Sequence, residues 1–170
     1  TTINVPHVLK LYWRGCVGSG LKIVIAGDEK SPDDAIRALC GELDHATYLS
    51  VADQKALGYE CSDVIGWSCI QPRTIALLYA IKLAPDIIVT IDDDNIPIRP
   101  FDYFAQFNRV LLNQFTGLVV SGKDGWFDAG DLTIPPVAHR GFPFRSPHGY
   151  QVGGVISAKV GVAAGLWLGD

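Results

Sequence analysis

Five consecutive residues, Ile87-Ile88-Val89-Thr90-Ile91, run without a break into Asp92-Asp93-Asp94-Asn95. β-branched side chains fit extended backbone better than helix. A run of them with no alternating polar positions reads as a central strand that needs cover on both faces. The three carboxylates must then emerge where the strand leaves the core, and that edge is where open α/β sheets bind ligands. Adjacent carboxylates repel one another at neutral pH, and a hard divalent cation with oxygen ligands relieves that repulsion. The triplet is therefore a candidate Mg²⁺ or Mn²⁺ site bridging the protein to a phosphorylated ligand. The plainer alternative is a solvated acidic turn, with Asn95 as its turn residue before Ile96-Pro97.

The remaining chain alternates strand and helix signals. Thr1 to Val5 reads as the end of a strand broken by Pro6, and Leu21 to Ala26 as a second strand closed by Gly27-Asp28. Ser31-Pro32-Asp33-Asp34 opens a helix with a hydroxyl cap, a first-turn proline and acids at the positive dipole end. That helix should run to about Cys40-Gly41. Ala46 to Val51 is a short strand and Ala52 to Gly58 a short helix or turn. Pro72 opens a longer helix with Ile75, Leu78, Tyr79 and Leu83 at helical spacing, stopped by Ala84-Pro85. Pro100 to about Gln114 predicts another helix, and Gly117 to Ser121 another strand. Gly122 to Tyr150 is rich in Gly, Pro, Asp and aromatics with little periodicity, and long irregular loops are commonly functional. Alternating strands and helices predict a mainly parallel sheet covered on both faces.

With 170 residues, 48% of them hydrophobic, the chain is long enough for one domain with a substantial core. A net charge of −4 provides no basic footprint, so nucleic acid is not an expected partner. Cys16, Cys40, Cys61 and Cys69 form no CxxC pair and read as free thiols of a cytosolic protein. No apolar stretch approaches the length of a membrane span, and the expected location is cytoplasmic. The sequence contains no Met; the expectation is that Thr1 is not the native start and that the ends are trimmed.

Other residues carry candidate chemistry. Asp28 ends an early strand as the triplet ends a later one, and in a parallel sheet both would share an edge, putting Asp28 within reach of a base or ribose hydroxyl. Its alternative is a turn residue on the approach to a helix. Gly15-Cys16-Val17-Gly18-Ser19-Gly20 precedes a strand instead of following one, so it fits neither the dinucleotide nor the P-loop signature and reads as a flexible turn. Arg73, in the first turn of its helix, suits a phosphate or a surface ion pair. Trp126-Phe127-Asp128-Ala129-Gly130-Asp131 sets two carboxylates beside aromatics; either acid would serve to deprotonate an acceptor hydroxyl or orient a sugar, or the segment is a turn with core aromatics. His139 to Arg145 mixes cationic and rigid apolar side chains, as a diphosphate clamp would. His148 is a possible base or metal ligand, although a lone His in a Gly/Pro loop is more often neither.

The segments Thr90-Ile91-Asp92-Asp93-Asp94-Asn95, Arg140-Gly141-Phe142-Pro143-Phe144 and Gly165-Leu166-Trp167-Leu168 occur in the order and rough spacing found in reversibly glycosylated polypeptides. That family contains the UDP-arabinopyranose mutases and related glycosyltransferases. The chain resembles it weakly at first and most clearly from Asp86 onward. The acidic motif is shared by many GT-A enzymes; the Arg-Gly-aromatic-Pro-Phe and Gly-Leu-Trp-Leu segments are more specific. The resemblance implies a GT-A nucleotide-diphospho-sugar transferase fold, with a mostly parallel central sheet and helices on both faces. It implies a UDP-sugar donor and Mn²⁺ or Mg²⁺ held by the acidic motif. By the same likeness Asp94 is the metal ligand, with Asp92 beside it near the ribose or donor sugar; Asp93 is counted with the donor-binding candidates without a particular role. Arg140 matches an arginine the family needs for activity. Thr1 to Asn4, with Thr2 and Asn4 as binding residues, would be the first nucleotide-binding strand, and Asp28 would close the second.

Two departures narrow the expectation. No arginine stands between Asp128 and Ala138, where the family's self-glycosylated arginine is found, and Ala164 replaces a His that plant members carry. The expected activity is therefore sugar transfer from a nucleoside-diphosphate sugar to an unknown separate acceptor, with Asp128, Asp131 and Arg140 as catalytic candidates. Three rivals stand beside it. One is a UDP-sugar mutase. Another is a haloacid dehalogenase-like phosphatase with Asp92 as nucleophile, against which Ile96 replaces the usual Thr or Val. The third is a non-catalytic nucleotide-sugar-binding protein.

Overall fold

A computed structural model describes residues 2–14, 20–97, 103–111, 114–122, 124–138 and 149–161. The chain is mixed α/β and divides into two compact units, Thr1–Gln106 and Phe107–Asp170.

The first unit is built on a parallel pair, β1 (Ile23–Ala26) and β2 (Ala46–Leu49), in register from Ile23 opposite Ala46 to Ala26 opposite Leu49. A parallel pair needs a crossover, supplied by α2 (Asp33–Gly41), whose Ile36 and Leu39 are buried. The short helix α1 (Leu9–Arg14) precedes β1 and buries Leu9 and Tyr12, a helix that the sequence pattern after Pro6 does not predict. After β2 come α3 (Val51–Ala56), α4 (Ser62–Ile65) and α5 (Pro72–Lys82). α5 starts at the expected proline and buries Ile75, whereas Leu83 lies past the helix as its exposed C-cap. One core gathers Leu9, Tyr12, Ile25, Ile36, Leu39, Leu43 and Tyr48, with Ile91, Tyr103 and Phe104 packed against it.

Thr2 joins the parallel pair through a single parallel bridge to Gly27, its N–H donating to the Ala26 carbonyl at 3.1 Å. The expected strand end at the N-terminus is thus reduced to one bridge among the described residues.

The run Ile87–Ile91 departs from expectation. No strand ladder forms over it among the described residues. From Asp86 to Pro97 exposure alternates strictly: Ile87, Val89, Ile91, Asp93, Asn95 and Pro97 are turned inward, while Ile88, Thr90, Asp92, Asp94 and Ile96 are exposed. As far as Asp92 this is the two-residue period of an extended chain with one covered face, not a central strand covered on both; Asp93 and Asp94 then form a hydrogen-bonded turn.

The second unit carries an antiparallel pair, β3 (Gln114–Gly122) and β4 (Tyr150–Lys159), with a register irregularity between Leu118 and Val120. The mainly parallel pattern expected from the sequence does not extend to this pair. β3 begins three residues earlier than its apolar core Gly117 to Ser121 suggested, and β4 was not anticipated. Helix α6 (Tyr103–Leu111) contains the boundary between the units. A 3₁₀ turn, Ala129–Leu132, follows Asp128.

Candidate functional site

In the first unit the chain leaves β1 at Gly27-Asp28, at the carboxyl end of the parallel pair. Asp28 is buried, and its Oδ1 accepts from the backbone N–H of Glu29 at 2.7 Å and of Ser68 at 2.5 Å. The Asp28 N–H donates to Ser31 Oγ at 2.6 Å, and that hydroxyl donates to the Thr2 carbonyl. Ser31 therefore closes the turn after β1 and does not cap α2, whose N-cap position is Pro32 without a side-chain bond.

Thr2 connects this edge to the acidic segment. Its Oγ1 lies 2.6 Å from Asp93 Oδ2 and 2.5 Å from the Asn4 carbonyl, and Asn4 N–H returns a bond to the same hydroxyl at 3.0 Å. Asn4 enters the cluster through its backbone, while its residue is exposed. Asp93, the first central residue of the Asp92–Asn95 turn, is half-buried and accepts from the Thr2 hydroxyl.

Asp92 and Asp94, on either side of Asp93, are exposed. Asp92 Oδ1 receives a long 3.4 Å bond from the Arg73 guanidinium, with both side chains about half exposed. Asp94 Oδ1 accepts from Asn95 Nδ2 at 3.4 Å. Asn95 also shapes the turn. Its Oδ1 accepts the Asp92 N–H at 3.1 Å, and its own N–H reaches the Asp92 carbonyl at 3.3 Å. The Asn95 carbonyl accepts from the Tyr12 hydroxyl at 2.9 Å. Burial is the main reason that the Tyr12 hydroxyl is pushed up to about 12, so it remains a donor at neutral pH.

Among the described residues no three His, Cys, Asp or Glu side chains converge to hold a metal ion. The donor chemistry at Asp92 and Asp94 nevertheless fits a divalent ion. Two exposed hard carboxylates stand two residues apart, and Mg²⁺ commonly takes one or two carboxylates and fills its sphere with substrate phosphate and water. Asp93 does not fit, since its Oδ2 is engaged by Thr2.

The structure brings Thr2, Asn4 and Asp93 into one hydrogen-bonded group, linked to Asp28 through Ser31, and it sets Arg73 beside Asp92. Asp128 and Asp131 belong to the second unit. Asp128 is buried and caps the following turn, its Oδ1 accepting from Gly130 N–H at 2.9 Å. Asp131 Oδ2 accepts from Gly149 N–H at 2.9 Å. Both carboxylates thus organise the loop that carries them. Phe127 is half-buried and meets Tyr150 edge to face, while Trp126 is exposed. Thr1, the residues 15–19 of the glycine-rich turn, the segment from His139 to His148 with Arg140 and Arg145, and Ala164 with the Gly-Leu-Trp-Leu segment lie outside the described residues. Cys40, Cys61 and Cys69 are free thiols, and burial pushes the Cys40 thiol up.

One residue at this edge carried no sequence signal. Gln54, fully buried in α3, donates both amide hydrogens, to the Gly27 carbonyl at 2.8 Å and the Leu49 carbonyl at 2.9 Å. Its Oε1 accepts from Trp67 Nε1 at 3.3 Å. A lone glutamine in a short polar helix looks like a solvated residue until packing brings two strand ends against it.

No protein-family model matches this chain, and no curated protein matches it. The class that the structure defines is a mixed α/β chain, with one parallel and one antiparallel strand pair among the described residues. No helix among the described residues is long and apolar enough to cross a membrane.

Proposed function

We propose that the chain is a metal-dependent glycosyltransferase with a GT-A type nucleotide-sugar site, transferring a sugar from a UDP-sugar to a separate acceptor. One observation carries the reading: Thr2, Asp28 and the Asp92–Asn95 turn are tied together at the carboxyl edge of a parallel strand pair, the edge at which α/β proteins bind nucleotides. The resemblance of the acidic motif and of the Arg140 and Trp167 segments to reversibly glycosylated polypeptides supports the same reading.

Asp92 and Asp94 would hold Mn²⁺ or Mg²⁺, which supplies positive charge against a departing diphosphate. Asp28 is an acceptor-only carboxylate suited to a ribose hydroxyl or a base N–H. Arg73, loosely paired with Asp92, offers a planar guanidinium to phosphate oxygens. Asp93, bonded to Thr2, fixes the turn so that its two neighbours face outward. Asp128, Asp131 and Arg140 are assigned to the acceptor and leaving-group side on sequence grounds.

Thermal-shift and calorimetric titrations with UDP-sugars, with and without Mn²⁺, test the assignment. The native chain should be stabilised by UDP-sugar, and more strongly with the metal. Asp94→Asn and Asp92→Asn should lose the metal-dependent part, by more than the roughly tenfold typical of losing even an outer-shell partner. Asp28→Asn should weaken binding equally with and without metal. If no nucleotide sugar shifts the melting curve under either condition, the proposal is wrong.

A further inference from the structure

We infer that Trp67 is a positioning residue of the donor site, acting on the Asp28 carboxylate through the loop that carries Ser68. The inference rests on the reading of Asp28 as a nucleotide contact and extends it to a device that sets the orientation of that carboxylate.

The loop between α4 and α5 is held in an unusual conformation. Gly66 has φ 66° and Ser68 has φ 62°, and a residue with a side chain adopts the left-handed region only when its surroundings impose it. Here the surroundings are specific. Ser68 N–H donates to Asp28 Oδ1 at 2.5 Å, and Ser68 Oγ donates to Glu29 Oε2 at 2.8 Å. One residue earlier, the Trp67 indole N–H meets Gln54 Oε1 at 3.3 Å, while the Lys55 ammonium lies 4.6 Å from the indole centroid. Gln54 has no freedom to turn, because both its amide hydrogens are committed to the carbonyls of Gly27 and Leu49. A rigid acceptor thus fixes Trp67, Trp67 fixes the path of the chain into Ser68, and Ser68 fixes one oxygen of Asp28.

The consequence is directional. Ser68 and Glu29 both donate to Oδ1, which leaves Oδ2 as the oxygen for a ligand donor. Releasing the loop would let the carboxylate rotate without removing it.

The test is a double-mutant cycle read by calorimetric UDP affinity in Mn²⁺, with Trp67→Phe, Asp28→Asn and the double variant. Trp67→Phe keeps an aromatic ring and removes the indole N–H. It should weaken UDP binding by about two- to tenfold, the range of one hydrogen bond, and should cause no further loss once Asp28 is Asn. The metal-dependent increment should be unchanged, since that belongs to Asp92 and Asp94. Lys55→Ala removes the exposed cation from the same ring without disturbing a buried atom; it should act in the same direction and also vanish in the Asp28→Asn background. Additive losses, or undiminished affinity in both variants, overturn the inference while leaving the function standing. Absence of UDP binding by the native chain overturns the function and this inference with it.

Discussion

Gly27 shows how much a single position can decide. A Cβ built there would lie 2.1 Å from the Tyr48 hydroxyl oxygen and 2.8 Å from its ring carbon Cζ. Tyr48 has little room to yield: it is buried, its hydroxyl donates to Asp33 Oδ1 at 2.5 Å, and the Arg37 guanidinium sits 5.4 Å from its ring centroid. Gly27→Ala should therefore destabilise the fold by about 1 to 3 kcal/mol, as overpacking does. Urea denaturation measures this, and Tyr48→Phe should recover part of the loss by removing the nearest atom. A change within about 0.5 kcal/mol, as at an ordinary surface site, would show that Tyr48 moves aside. The glycine was legible in the sequence as a strand-closing residue. The reason for it was not, because the tyrosine reaches it from the neighbouring strand.

At the scale of elements, proline and acidic residues fix where helices begin, but packing decides which hydroxyl caps them. α2 and α5 lie where their proline and acidic starts place them, yet the hydroxyl expected to cap α2 is taken by the Asp28 turn. The capping box belongs to α3, where Ser50 Oγ accepts the Asp53 N–H and Asp53 Oδ2 accepts the Ser50 N–H. The Ser50 hydroxyl, followed by the Arg37 guanidinium, holds the Asp53 carboxyl below the usual carboxylate range. A depressed folded pKa contributes stability that is complete above the unfolded value of about 4 and is lost as pH falls through the folded one. Asp53→Asn should therefore flatten the acid limb of the stability curve below about pH 4 and leave its slope near neutrality unchanged. Denaturation midpoints over that range check it, and an unaltered acid limb would remove Asp53 from the account. Ser50→Ala should cost about 0.5 to 2 kcal/mol at neutral pH.

Across the whole molecule, burial is uneven. The buried hydrophobic residues described, from Leu9 to Ile75, all fall in the first unit. In the second, Phe115, Leu118, Val152, Val155 and Ile156 of the antiparallel pair are exposed. Backbone hydrogen bonds resist opening in proportion to the packing that opening must break. Native-state hydrogen exchange should accordingly show the slowest amides in β1, α2 and β2, with β3 and β4 exchanging faster. Equal protection in both units would mean that the antiparallel pair is covered in solution.

Local chemistry was determined by the sequence alone: a strand closed by Gly27-Asp28, helix starts at Ser31-Pro32-Asp33-Asp34 and at Pro72, and a β-branched apolar run leading into three carboxylates. These follow from side-chain branching, proline geometry and cap chemistry, which act over a few residues and need no distant partner. Only the tertiary structure decided what those features do together. It turned Asp93 inward to Thr2, 91 positions away in the chain, and left Asp92 and Asp94 exposed. It recruited Ser31 to a turn, buried Gln54 against two strand ends, and covered only one face of the Ile87–Ile91 run. Each of these depends on which residues meet once the core has closed, and that is a property of packing across the unit, not of any stretch within it.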